Sequence, residues 1–237
     1  MDKDSLLQET RRQFEAGILE EKDLWWFLNL DTAQRNSHQQ QMRTLTCYKQ
    51  GNGEFVPVPP GIANKFALLV DLGVITVPDD YVHEKRLTTF DKQNNRRKFF
   101  YYNNEISDEN FPNPTRALKP GDKFRVRAFK QVVDGTTTSE ERLAFLSTQK
   151  TIHTGAQGAS LVFDQKRDQL PKGQLYASFD EKDRLWADAS GYRKVPSVDV
   201  LSNGDFEFRL GDFEAVWGGD SAFLCFNEVD TTEGQTC

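Results

Sequence analysis

The sequence predicts an α+β fold, mainly β: an antiparallel β-sandwich or barrel of about ten strands with an N-terminal helical region. Three observations predict it. Arg142 to Trp186 carries three short apolar runs, Leu143 to Ile152, Ala159 to Phe163 and Gln174 to Phe179. They are separated by Gly155-Ala156-Gln157-Gly158 and Leu170-Pro171-Lys172-Gly173. Strand length and Gly/Pro punctuation favour three strands there over one helix. Lys123 to Ala128 and Asp205 to Leu210 alternate polar and apolar side chains with period two, as strands with one buried face do. Finally, hairpin turn signals recur while strand-helix-strand alternation does not.

Taken in order, residues 4–16 read as a helix capped by Asp4 or Ser5, striped by Leu6, Leu7 and Phe14, and closed by Gly17. A second helix follows at about 20–30, with Leu24, Phe27 and Leu28 on one face. Trp25 and Trp26 widen that stripe into a packing surface or an aromatic patch for a partner. Residues 32–43 are polar nearly all round, so they have little to bury. Thr44 to Gln50 and Glu54 to Val58 flank Gly51-Asn52-Gly53 as a hairpin, because glycine and asparagine accept positive φ. Gly61 to Leu72 reads as an apolar helix lying against a sheet, followed by a short extended run from Val74 to Val77.

Lys85 to Phe90 and Lys98 to Tyr102 read as a hairpin, and residues 103–120 as a long connector rich in Asn and Pro. Lys123 to Val133 follows as a strand. Val195 to Leu201 and Phe206 to Leu210 form a hairpin about Ser202-Asn203-Gly204-Asp205, and Ala222 to Val229 closes the domain. The expected organisation is a helical region at 1–43, a mixed α/β segment with hairpins and one buried helix at 44–120, a β-rich core at 121–229 and a flexible tail at 230–237.

Composition narrows function mainly by exclusion. Eighteen Phe, six Tyr and four Trp supply a large core, while charged residues make up 28%. Mean hydropathy is −0.66. No apolar run approaches the ~18 residues of a membrane span, and the first residues lack the apolar stretch of a secretory signal. Cys47, Cys225 and Cys237 show no disulfide or metal spacing. The expectation is a cytoplasmic protein with no membrane segment and no cofactor.

The net charge of −6 hides a split. Glu84 to Lys130 holds twelve Lys/Arg against six Asp/Glu, a net of +6, whereas Asp180 to Asp230 holds five against twelve, a net of −7. Lys123, Arg125 and Arg127 share one strand face, and Arg96, Arg97 and Lys98 precede the aromatic run Phe99-Phe100-Tyr101-Tyr102. Were these strands neighbours, their cations would merge beside aromatic rings, the surface that single-stranded nucleic-acid binders use.

Catalytic templates fail. His83-Glu84 begins a zinc-binding pattern, but Leu87 stands where the second histidine must be. His153 to Gly158 offers only Gly-x-x-Gly, which reads as a sharp corner between strands. Cys225 lies in an apolar run that reads as core. Glu207, Asp212 and Glu214 near Trp217 make a possible acid/base group for glycoside hydrolysis. Alternation instead sends Glu207 to an exposed strand face, and Trp217 before two glycines reads as a core residue at a turn. The leading expectation is a non-catalytic interaction or assembly protein, with a protein partner or self-association through its basic centre and acidic C-terminal part. A single-stranded nucleic-acid binder and a carbohydrate hydrolase are the alternatives.

Overall fold

The computed structural model describes residues 47–49, 55–57, 61–94 and 98–229. The chain divides into units Met1–Thr46 and Cys47–Cys237, and all described residues belong to the second. The two expected N-terminal helices, the Gly51-Asn52-Gly53 turn and the tail lie outside the described residues.

Strands β1 (Cys47–Lys49) and β2 (Phe55–Pro57) pair antiparallel, Cys47 opposite Pro57, as the hairpin signal requires. A 3-10 turn, Ile62–Lys65, leads into β3 (Phe66–Thr76). Then come α1 (Arg86–Asn94), β4 (Phe99–Tyr102), β5 (Lys123–Gln131), β6 (Thr137–Thr138), α2 (Ser139–Thr148) and α3 (Gly155–Lys166). Strands β7 (Gln174–Ala177), β8 (Lys194–Val200), β9 (Phe206–Asp212), β10 (Val216–Trp217) and β11 (Ser221–Glu228) complete the order.

Seven strands form one sheet in the order β3-β5-β11-β7-β8-β9-β4. The β11–β7 and β9–β4 pairs are parallel and the other four are antiparallel. The fold is therefore α+β and mainly β, but its centre is an open mixed sheet with helices rather than a closed antiparallel barrel. Helices α1 and α3 pack on one face, where Phe90 meets the rings of Phe163 at 5.7 Å and Phe208 at 5.5 Å. Helix α2 packs on the other, where Phe145 meets Phe66 at 5.0 Å and Phe129 at 4.9 Å. Each buried phenylalanine contributes on the order of 1.5–3 kcal/mol.

Four elements differ from the sequence expectation, each for a physical reason. Leu143 to Ile152 is largely α2, entered through a capping box: the Glu141 N–H donates to Thr138 Oγ1 at 3.2 Å, and the Thr138 N–H donates to Glu141 Oε2 at 2.9 Å. Ala159 to Phe163 lies in α3, whose residues Gly155 to Phe163 are all buried, so no polar stripe marks a helical period. Gly158 is needed there for close packing rather than for a corner. A Cβ on it would fall 1.9 Å from Thr154 Oγ1 and 3.0 Å from the Phe226 ring.

Lys85 to Phe90 is mostly α1, whose first amides are capped from a distance. Asp108 accepts from the N–H groups of Leu87 at 2.8 Å and Thr88 at 2.9 Å. Conversely, the expected helix from Gly61 to Leu72 is mostly strand β3. Two bulges, between Leu68 and Val70 and between Asp71 and Gly73, shift its alternation and imitate helical spacing. The β8–β9 hairpin, β5 and β11 stand where the sequence places them.

Arg142 locks α2 to the sheet. It is fully buried (0% exposed). Its Nε donates to Thr137 Oγ1 at 3.0 Å and its Nη1 to the Ser221 carbonyl at 2.7 Å. The guanidinium lies 5.3 Å from the Trp217 ring and 5.2 Å from the Phe223 ring. Burial pushes its pKa down to about 9, so it remains charged at neutral pH. Trp217 is a core residue, its indole N–H donating to Ser139 Oγ at 2.8 Å.

Candidate docking edge and charged sheet face

Trp25, Trp26, Arg96 and Arg97 lie outside the described residues. Lys123, Arg125 and Arg127 share one face of β5 as expected, because Phe124, Val126 and Ala128 fill the core on the other. The face is not free positive charge. Arg125 donates twice to Asp71 Oδ2 on β3, from Nε at 3.0 Å and Nη2 at 2.6 Å. That bond holds the Asp71 carboxyl below the usual carboxylate range and raises the Arg125 guanidinium. Arg127 donates to Asn227 Oδ1 at 3.0 Å and lies 5.4 Å from the Phe129 ring.

Lys98, exposed at the start of β4, does not join this group. β11, β7, β8 and β9 stand between β5 and β4. At ~4.8 Å per strand, five steps separate the two cation sites by about 24 Å. Lys98 is therefore no neighbour of Lys123, Arg125 and Arg127.

Several charges are paired within the fold, and one pair, Arg116 with Glu228, joins the basic segment to the acidic one. Arg86 pairs with Asp164 at 2.6 Å and Arg116 with Glu228 at 3.0 Å. Lys194 sits between Asp188 at 2.8 Å and Asp212 at 2.5 Å. Arg193 pairs with Glu214 at 3.0 Å, and Arg209 with Glu207.

The acidic strand corrects one expectation. Glu207 is not exposed but only 3% accessible. It lies opposite Asp199 and beside Tyr101 in the sheet. Arg209, which pairs with it, reaches over the Tyr101 ring at 5.8 Å, so β9 is covered where alternation alone would leave it open. Burial raises the Asp199 carboxyl, with Arg209 opposing and Glu207 adding to the shift. Glu207 and Asp212 are five residues apart on β9, about 17 Å at strand rise, with Glu214 further along the chain. A hydrolytic carboxylate pair needs roughly 5–10 Å.

Sequence reasoning missed Asp180. Its carboxyl is 3% exposed and accepts from the Thr115 N–H at 2.9 Å, the Thr115 hydroxyl, and the Glu181 N–H at 2.9 Å. Burial pushes its pKa up to about 6. It borders a crease at the N-terminus of α3, lined also by Phe111, Gln157 and Arg184. The crease has no room for a water-sized sphere, so Asp180 acts here as a tie between the 103–122 connector and the end of β7. In the sequence it stands among charged neighbours and looks like a surface residue.

Among the described residues no three His, Cys, Asp or Glu side chains gather as metal ligands. His83 instead shares a 3.0 Å hydrogen bond with the Tyr81 hydroxyl. Cys225 is buried, its thiol 3.5 Å from Asn227 Oδ1, and burial raises its pKa. His153 is half-buried, and desolvation of its ring pushes the imidazole down to about 4. Among the described residues no helix is long and apolar enough to cross a membrane.

The two sheet edges differ. On β3 the edge is blocked: Gln165 from α3 accepts from the Thr76 N–H at 3.2 Å and donates to the Thr76 carbonyl at 2.8 Å. Asp71 Oδ1 accepts from the Gly73 N–H at 2.9 Å, and two bulges bend the strand. Bulges and occupied backbone groups prevent strand addition. At β4 no strand lies on the outer side among the described residues, although this strand too has an irregularity, between Phe99 and Tyr101. Phe100 is 76% exposed and Tyr101 47% exposed on that strand.

No protein-family model, curated protein or solved structure matches the chain. The functional reading therefore rests on this geometry.

Proposed function

We propose that the chain is a non-catalytic interaction or assembly protein that docks through the open β4 edge. The observation that carries this reading is the exposure of adjacent Phe100 and Tyr101 on an edge strand with no outer neighbour among the described residues. Single exposed apolar residues are ordinary on a protein surface. Two aromatics on an edge strand are different, because they add contact area beside backbone groups that face away from the sheet.

The site is narrower than the sequence suggests. Lys98 belongs to it, whereas Arg125 and Arg127 are engaged by Asp71 and Asn227. Nucleic-acid binding has less support, since Lys98 lies five strands away from Lys123, Arg125 and Arg127. Carbohydrate hydrolysis loses the convergence of Glu207, Asp212 and Glu214.

A photo-crosslinking residue placed at Phe100, with Tyr192 as an exposed control away from β4, tests the reading in the full-length protein. Tyr192 is 51% exposed. Adducts from position 100 well above those from position 192 support docking at this edge. Equal yields at both positions overturn it.

A further inference from the structure

We infer that Asp199 and Glu207 form one proton-sharing carboxylate pair, a pH-sensitive contact between β8 and β9 in which Arg209 is the cation. The inference goes beyond the docking reading and stands without it.

Register supplies the geometry. Asp199 and Glu207 are directly opposite each other in the antiparallel β8–β9 pair. Side chains so placed share one face of the sheet, with Cβ atoms ~4.5–5.5 Å apart. The two carboxyls therefore lie within reach of a single proton. In the same row Leu175 of β7 flanks Asp199, and Tyr101 of β4 flanks Glu207, so neither neighbour brings a positive charge. Arg209 stands two residues along β9 on the same face, pairs with Glu207 and lies 5.8 Å from the Tyr101 ring. One guanidinium thus serves two carboxylates. The further acidic group that acts on Asp199 is Asp220, exposed just before β11.

Burial decides how the pair responds. Glu207 is only 3% exposed and is fixed by Arg209, whereas Asp199 is half-buried and is the partner free to turn. With both carboxyls ionised, the two and Arg209 carry one net negative charge, and like charges stand side by side away from bulk water. One proton removes that repulsion: the Asp199 O–H donates to the Glu207 carboxylate, and Arg209 balances the charge that remains. Burial raises the Asp199 carboxyl first, and Glu207 adds to it while Arg209 opposes. A raised carboxyl keeps its proton in the folded state, so the contact is complete below 3.8 and is lost as pH rises through the raised value. Arg209 over Glu207 closes the pair to a substrate, which makes proton sharing rather than hydrolysis its chemistry.

The test is carboxyl-carbon NMR of the full-length protein, titrated from acid to neutral pH, with the variants Glu207→Gln, Arg209→Gln and Asp220→Asn. In wild type the Asp199 carbon titrates above 3.8, and the Glu207 carbon shifts in the same step. Glu207→Gln brings the Asp199 midpoint down and Arg209→Gln moves it up. Asp220→Asn lowers it less than Glu207→Gln does.

A Glu207 carbon that does not follow the Asp199 step overturns the inference. So does an Asp199 midpoint that Glu207→Gln leaves in place, or that Asp220→Asn lowers as far. Should Glu207→Gln not fold, wild type and Arg209→Gln decide the matter, and a midpoint that Arg209→Gln leaves unmoved overturns the pair.

Discussion

Replacing Arg142 should unfasten α2 from the sheet at a cost set by the partners it leaves behind. Two of its hydrogen bonds are short, to Thr137 Oγ1 at 3.0 Å and to the Ser221 carbonyl at 2.7 Å. Two are long, to Gln131 Oε1 at 3.4 Å and the Gly218 carbonyl at 3.5 Å, and contribute little. Hydrogen bonds to a charged group are worth about 1.5–3 kcal/mol each, and an orphaned buried acceptor costs a further ~1–3 kcal/mol. Thr137 and Gln131 still bond each other at 3.1 Å, so the Ser221 carbonyl bears most of the loss. Arg142→Ala is expected to lose about 4 kcal/mol, which includes the space left against Trp217 and Phe223.

Arg142→Met separates the terms. It fills the stem volume but leaves the Ser221 carbonyl unpaired, so it should lose about 3 kcal/mol. Apolar replacement of buried charges can stabilise a protein when every partner is replaced too. The carbonyl cannot be replaced by mutation, so that relief is not available here. Urea unfolding at fixed pH, extrapolated linearly to water, gives both values. Losses of less than about 1 kcal/mol in both variants would refute the claim that this buried guanidinium fastens α2.

Three further outcomes follow from the packing and the titrating groups. Gly158→Ala should destabilise by about 2–4 kcal/mol, since its Cβ would meet Thr154 Oγ1 at 1.9 Å and Phe226 at 3.0 Å. Adding Thr154→Ala should recover part of that loss in thermal unfolding, and no recovery would contradict the close-packing role. Disrupting the capping box and the Lys65 contact with Glu141→Ala should cost roughly 1 kcal/mol in urea unfolding. Unchanged stability there would contradict the capping contribution.

Asp180 and His153 should oppose each other in acid. The Asp180 carboxyl is raised from 3.8 to about 6, so the folded state binds the extra proton and stability falls as pH rises from 4 to 6. His153 is lowered from 6.5 to about 4, so the unfolded state binds the extra proton and stability rises from 4 to 6.5. Asp180→Asn should therefore expose the rising slope, and His153→Gln the falling one. Chemical unfolding at several pH values measures both, and identical slopes in all three proteins would sink this account.

The sequence was most legible where one side of an element meets solvent. Lys123, Arg125 and Arg127 alternate with Phe124, Val126 and Ala128, and β5 follows directly. Ser202 to Asp205 marks the β8–β9 turn in the same local way. Helix α3 is buried around its circumference, so its residues carry no period, and their glycines resemble strand punctuation. Helix α1 takes its cap from Asp108, some twenty residues downstream, which no local window reveals. For α2 the signal was present in Thr138 and Glu141 but was outweighed by the apolar run after it.

The candidate site was half legible. Lys98 beside an aromatic run was visible, but four consecutive aromatics do not say which ring enters the core. Phe99 and Tyr102 do, while Phe100 and Tyr101 are left outside. Strand order was invisible, and it is strand order that sets Lys98 apart from Lys123, Arg125 and Arg127 and leaves β4 at an edge.

The most direct measurement is amide hydrogen exchange of Phe100, Tyr101 and Tyr102 at low and at high protein concentration. Assembly through the β4 edge predicts that edge amides of this segment exchange slowly when concentrated and quickly when dilute, while β3 is unchanged. Exchange at β4 that does not depend on concentration, in a sample whose mass shows association, would contradict the account.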